Sequence, residues 1–289
     1  MQRVLSFALA ASSFLTIGLL VGPGAGVALA DDADVHYRQG LAYKKDGKND
    51  LALSEMLEAI KLRPDYAAAE FSAGVLFKQR NELEQAREHF ERAVKLQPKS
   101  SESHASLGYT YARLGKDTEA MHELEEATTL NPNDPAAQQS LGALYRQKKM
   151  YDKAILHLEQ AVLLDPKDPV GLSNLGVAYR QTNRMPEAEK YFKRALELKD
   201  QAEFHYNLAT VYRRESKTAE AIAEYQKATE QQPTLAEAHH DLGILFAQGK
   251  RNEDAIREWN LYLDLVGTKN PAEADIARKR VKDLGGKPH

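Results

Sequence analysis

Apolar positions along this chain follow two nested periods. Within stretches of about a dozen residues they stand three and four apart, the spacing of one helix face, and pairs of such stretches recur every 34 residues. Seven copies begin at Ala33, Ala67, Ser101, Pro135, Pro169, Ala202 and Ala236, and only the fifth is short, by one residue. The eighth position of each copy is small: Gly40, Gly74, Gly108, Gly142, Gly176, Ala209 and Gly243. Three residues later stands an aromatic: Tyr43, Phe77, Tyr111, Tyr145, Tyr179, Tyr212 and Phe246. Position 20 is alanine throughout, from Ala52 to Ala255, and position 27 is alanine until Tyr262 in the last copy.

A glycine inside a helix costs about 0.5–1 kcal/mol relative to alanine, so its repetition predicts a compensating tertiary contact. Each copy reads as two antiparallel helices that approach closely where positions 8, 20 and 27 are small. The position-11 aromatic and a large residue at position 24 (Met56, Phe90, Leu124, Leu158, Phe192, Tyr225, Trp259) fill the space around that crossing. Proline at position 32, present as Pro64, Pro98, Pro132, Pro166 and Pro233, stops the second helix. A further helix is predicted from Pro271 to Leu284, with Ala274, Ala277, Val281 and Leu284 on one stripe.

These residues resemble the tetratricopeptide repeat (TPR) family, whose pattern is W-x2-L-G-x2-Y, A-x3-F, P, over nearly the whole chain beyond residue 32. The resemblance implies an all-α fold: an α-solenoid, a right-handed superhelix of about seven helix-turn-helix repeats over 33–66, 67–100, 101–134, 135–168, 169–201, 202–235 and 236–269. Residues 270–289 are expected to form a C-terminal capping helix and tail. Gln39 replaces the leucine of Leu107, Leu141, Leu175, Leu208 and Leu242, as suits a terminal repeat with a wetted outer side. The tryptophan position, the fourth, holds His36, Glu70, His104, Gln138, Leu172, His205 and His239 instead.

Residues 1–30 differ in kind. Arg3 precedes an apolar run from Val4 to Val21, Gly22-Pro23-Gly24 breaks it, and Ala28-Leu29-Ala30 supplies an A-x-A site, the layout of a secretory signal peptide cleaved after Ala30. Export to a periplasmic or extracellular space is expected; the competing reading is an uncleaved anchor, since 18 apolar residues nearly span a bilayer. Removing this segment takes one basic residue from 39 basic and 42 acidic, leaving a net charge of about −4 that disfavours nucleic acid as a partner. The absence of cysteine excludes disulfides, thiol catalysis and an acylated lipoprotein cysteine.

No H-E-x-x-H, G-x-S-x-G or phosphate-loop motif occurs; Gly115-Lys116 and Gly249-Lys250 fall at turns between paired helices. Nine histidines invite a metal reading, but no carboxylate or second histidine recurs at ligand spacing, and position 4 reads as a half-buried packing site. The resemblance implies that TPR enzymes carry a separate catalytic domain, for which no residues remain. The expectation is a non-catalytic scaffold with no cofactor and no metal.

Family resemblance places a partner-binding groove on the side of the first helices away from their second helices, at positions 2, 5, 9 and 12. Position 12 carries Lys44, Lys78, Arg146, Arg180 and Arg213, and position 13 adds Lys45, Arg113 and Arg214. Tyr37, Phe71 and Tyr206 stand at position 5 and Tyr109 at position 9. Asn174 and Asn207, at position 6, resemble the asparagine rungs with which some TPR superhelices hold a peptide backbone. The candidate groove set is therefore Tyr37, Phe71, Lys78, Tyr109, Arg113, Arg146, Asn174, Arg180, Tyr206, Asn207, Arg213 and Arg214, suited to an acidic, partly aromatic or aliphatic protein segment.

Overall fold

The computed structural model describes residues 25–267 and 269–289; most of the predicted signal peptide lies outside them. Fifteen helices and no strand occur among the described residues. They are α1 (Ala25–Lys45), α2 (Asn49–Leu62), α3 (Ala67–Gln79), α4 (Leu83–Leu96), α5 (Ser101–Arg113), α6 (Asp117–Leu130), α7 (Pro135–Gln147), α8 (Tyr151–Leu164), α9 (Pro169–Gln181), α10 (Met185–Leu198), α11 (Ala202–Arg214), α12 (Thr218–Gln231), α13 (Ala236–Gln248), α14 (Asn252–Val266) and α15 (Pro271–Asp283). First helices open on the predicted residue in six of seven copies. The exception is α1, which already runs at Ala25, the first described residue, and continues unbroken past Ala30.

The helices fall into two compact units, one ending at Leu96 and one running from Gln97 to His289. In each unit, every first helix packs on its own second helix, and that second helix on the next first helix: α2 on α3 in the first unit, and α6 on α7 through α14 on α15 in the second. This pairing is that of a TPR α-solenoid.

The crossing explains the glycines. A Cβ added to Gly142 would stand 2.6 Å from Leu158 Cγ and 3.2 Å from the Ala154 carbonyl; one on Gly176 would stand 2.8 Å from the Phe192 ring. Position 8 thus faces the side chain at position 24 and the backbone at position 20. All seven position-20 alanines are fully buried. Ala154→Leu is accordingly expected to cost about 1–3 kcal/mol by overpacking, measured as a fall in urea midpoint at unchanged m-value; a neutral result would contradict the register.

Between paired helices the chain turns through one left-handed residue, always position 15: Gly47, Asn81, Gly115, Lys149, Asn183, Ser216 and Lys250, with φ between 59° and 73°. The following N–H closes the motif on the position-11 carbonyl, as from Met150 to Tyr145 at 2.8 Å. Helix starts are fixed by side chains where the sequence allows. Asp134 accepts from the N–H groups of Ala136 and Ala137, Asp168 from those of Val170 and Gly171, and each is followed by proline at the first helical position.

Terminal chemistry follows expectation. Gln39 is exposed where Leu107, Leu141, Leu175, Leu208 and Leu242 are buried. Helix α15 buries Ala274, Ala277 and Val281 of the predicted stripe, while Leu284 lies one residue past its end and is half-buried.

Candidate functional site

In the C-terminal unit, α7 touches α9 and α9 touches α11, so the first helices form a row of their own. That row carries the position-12 cations. Arg146 and Arg180 are half-buried, the Nε of each has no hydrogen-bond partner, and among the described residues neither guanidinium meets a carboxylate. Burial holds the Arg180 guanidinium below its ordinary pKa, and the charges of Arg214 and Arg146 act in the same direction. A buried donor without an acceptor costs free energy.

Tyr109, Arg113 and Arg146 line one cavity of about 360 Å³ between α5 and α7, floored by Ala112, Ala143 and Leu144. The Tyr109 hydroxyl is buried there beside Ser140, and burial, reinforced by Asp134 and opposed by Ser140, pushes its pKa up. Asn174 is half-buried and Asn207 buried; neither side chain makes a hydrogen bond among the described residues. Tyr206 lies against Tyr225 with ring centroids 5.6 Å apart.

The structure gives other candidates internal work. Arg213 lies 3.7 Å from Asp241, and Arg214 donates to the Arg180 carbonyl at 3.0 Å. Asp241 is a buried junction that accepts a hydrogen bond from the Tyr225 hydroxyl at 2.8 Å. Burial would raise the Asp241 pKa; His240, Arg213 and Tyr225 together outweigh it and hold the carboxyl below the usual range. A signal existed: Tyr225 is the only tyrosine at position 24, and a buried hydroxyl there needs a partner.

Tyr37, Phe71 and Lys78 belong to the N-terminal unit. Tyr37 packs on Tyr66 at 4.9 Å, Phe71 on Phe90 at 5.6 Å, and the Lys78 ammonium stands 5.9 Å from the Phe90 ring. The two position-5 aromatics of this unit thus have partners in their own unit rather than forming a bare apolar series.

A second cavity, about 440 Å³, lies where α15 meets the last repeat, lined by Tyr206, His240, Asp241, Tyr262, Glu273 and Arg280 among others. Arg280 Nη1 lies 3.0 Å from His240 Nε2, and the Tyr262 hydroxyl donates to Glu273 at 3.0 Å. Among the described residues no three histidine or carboxylate groups gather as metal ligands. The position-4 histidines have a partner that the sequence reading missed: Glu55, Glu123, Glu224 and Glu258, each 19 residues on, meet His36, His104, His205 and His239.

The sequence model of the cilia and flagella-associated protein 70 C-terminal domain, a TPR domain, matches residues 7–244. The chain belongs to this tetratricopeptide repeat family. Among solved TPR structures it is similar to MamA, at 25% identity and a TM-score of 0.54 over 59% of this chain and 93% of that one. YrrB, titled a TPR protein with an unusual peptide-binding site, is 21% identical, with a TM-score of 0.55 over 62% of this chain and 95% of that one. Pseudomonas aeruginosa pilF is 19% identical, with a TM-score of 0.59 over 71% and 94%. No curated protein matches the chain.

Proposed function

We propose that this TPR chain is a non-catalytic protein-interaction scaffold that holds an acidic, partly aromatic or aliphatic segment of a partner along the first helices of its C-terminal unit. The observation that carries this is the pair Arg146 and Arg180: among the described residues neither guanidinium meets a carboxylate. A partner's carboxylates would supply the missing acceptors. The cavity beside Arg146, with its alanine and leucine floor, offers room for an adjacent apolar side chain. The peptide-binding site named for YrrB supports the same use of the fold.

Binding of a labelled peptide of alternating glutamate and leucine tests this against its glutamine counterpart. The acidic peptide should bind, more weakly as salt rises, because screening acts on the arginine contacts. Asn174→Ala with Asn207→Ala should speed its dissociation and leave association unchanged. Equal binding of both peptides would remove the electrostatic reading.

The setting we propose is envelope assembly or secretion, resting on the apolar run from Val4 to Val21 and the A-x-A site at Ala28–Ala30. No described helix is long and apolar enough to cross a membrane. Intact mass of the native protein decides the N-terminus. A start at Asp31 agrees with export and cleavage, whereas a start at Met1 favours a membrane-anchored structural subunit of an envelope complex.

A further inference from the structure

Five of the seven repeats join a histidine to a glutamate between position 4 of the first helix and position 23 of the second. The pairs are His36 with Glu55 at 2.6 Å, His89 with Glu70 at 2.5 Å in reversed order, His104 with Glu123 at 2.7 Å, His205 with Glu224, and His239 with Glu258 at 2.7 Å. In three of them the other ring nitrogen reaches the linker that leads into the first helix. His104 Nε2 lies 3.1 Å from the Pro98 carbonyl, His239 Nε2 3.0 Å from the Pro233 carbonyl, and His205 Nε2 2.7 Å from Asp200 Oδ1.

Carbonyls and carboxylates only accept hydrogen bonds. A ring that satisfies one at each nitrogen must carry a proton on both, whereas a neutral imidazole leaves one lone pair facing another. All three rings are buried, at 5–7% exposure, where an unmade hydrogen bond is costly. We propose that His239 is a proton-operated latch, tying α13 to α14 and to the incoming linker when doubly protonated, and releasing the linker as pH rises.

Each of the three rings faces a carboxylate of its second helix. His239 faces Glu258 of α14, whose other oxygen lies 3.6 Å from Arg257 Nε. His205 faces Glu224 of α12, which also accepts from Lys227 at 2.8 Å, and Asp200, which accepts from Gln231 at 2.5 Å. His104 faces Glu123 of α6. Burial opposes the charged form of His239, but the Glu258 carboxylate and the Pro233 carbonyl outweigh it and raise its pKa above the ordinary histidine value. A raised folded-state pKa means stability fully present below about 6.5 and lost as pH climbs through the folded value.

Repeat four contains the uncharged version of the same joint. Gln138 Nε2 donates to the Pro132 carbonyl at 3.0 Å, and its Oε1 accepts from His157 Nδ1 at 2.7 Å. Transplanting it gives the variant His239→Gln with Glu258→His, which keeps both bonds without needing a second proton. Burial holds the His157 pKa below the ordinary value, with Lys153 acting in the same direction and Glu125 against it, so the transplanted ring should prefer to be neutral.

Hydrogen exchange of the full chain between pH 6 and pH 8, corrected for intrinsic rates, reads the latch. Amides at the start of α13 should lose roughly tenfold in protection in the natural protein, and lose none in the variant. Nitrogen NMR of the histidine rings at pH 6, which needs no variant, should show His239 protonated on both nitrogens. A neutral His239 ring at pH 6, or identical pH dependence in both proteins, would overturn the proposal.

Discussion

Replacing Phe192 with alanine is expected to cost about 3–5 kcal/mol, the upper range for emptying a core site. Phe192 is fully buried, and its ring lies against Gly176, where an added Cβ would be only 2.8 Å away. The cost is high because the site cannot collapse. The facing position is bare backbone, with no side chain to swing into the void, and the Ala188 and Ala195 flanks are short. Phe192→Leu should cost less than half as much, since Leu158 fills the same position of the preceding repeat over Gly142. Urea unfolding monitored by circular dichroism measures both. A loss below about 1 kcal/mol for alanine would mean that position 24 is not the plug of the crossing.

The fold was legible because the 34-residue period fixes which residues meet. Gly142 and Leu158 are opposed in every consistent pairing of the two helices, and no alternative register keeps seven small residues against seven large ones. The left-handed turn was legible only in part. Gly47, Gly115, Asn81 and Asn183 advertise a positive φ, but Lys149, Ser216 and Lys250 adopt it because their helices leave no other closure. Helix α1 already runs at Ala25, the first described residue, inside a stretch that resembles an export signal, where the sequence period says nothing.

The candidate site divides along the same line. Arg146 and Arg180 could be chosen from a row of cations at one register, because local position alone puts them on the outer side of the first helix. Arg213 could not be separated from them, since its neighbour Asp241 comes from the next repeat, 28 residues away. The histidine–glutamate pairs escaped for a similar reason. Ligand spacing within one helix is three or four residues, whereas these partners stand 19 apart and meet only once the two helices run antiparallel.

Reversing both unpaired charges, Arg146→Glu with Arg180→Glu, is expected to weaken binding of the acidic peptide by about 100-fold or more. Each change removes a donor whose Nε lacks an internal partner and adds a like charge facing the ligand. Stability should hardly move. Among the described residues neither guanidinium meets a carboxylate, so no internal ion pair is lost when they are replaced. Arg213→Glu is the contrast: it sets a carboxylate against buried Asp241 and should destabilise the last repeats.

The most direct test of the binding face is the affinity of the glutamate–leucine peptide for the natural protein and for the Arg146→Glu, Arg180→Glu variant, measured at one salt concentration with the melting temperature of each recorded. A loss of about 100-fold or more with the melting temperature preserved is expected. Unchanged affinity in a folded variant would contradict it, and the first helices of the C-terminal unit would not be the binding face.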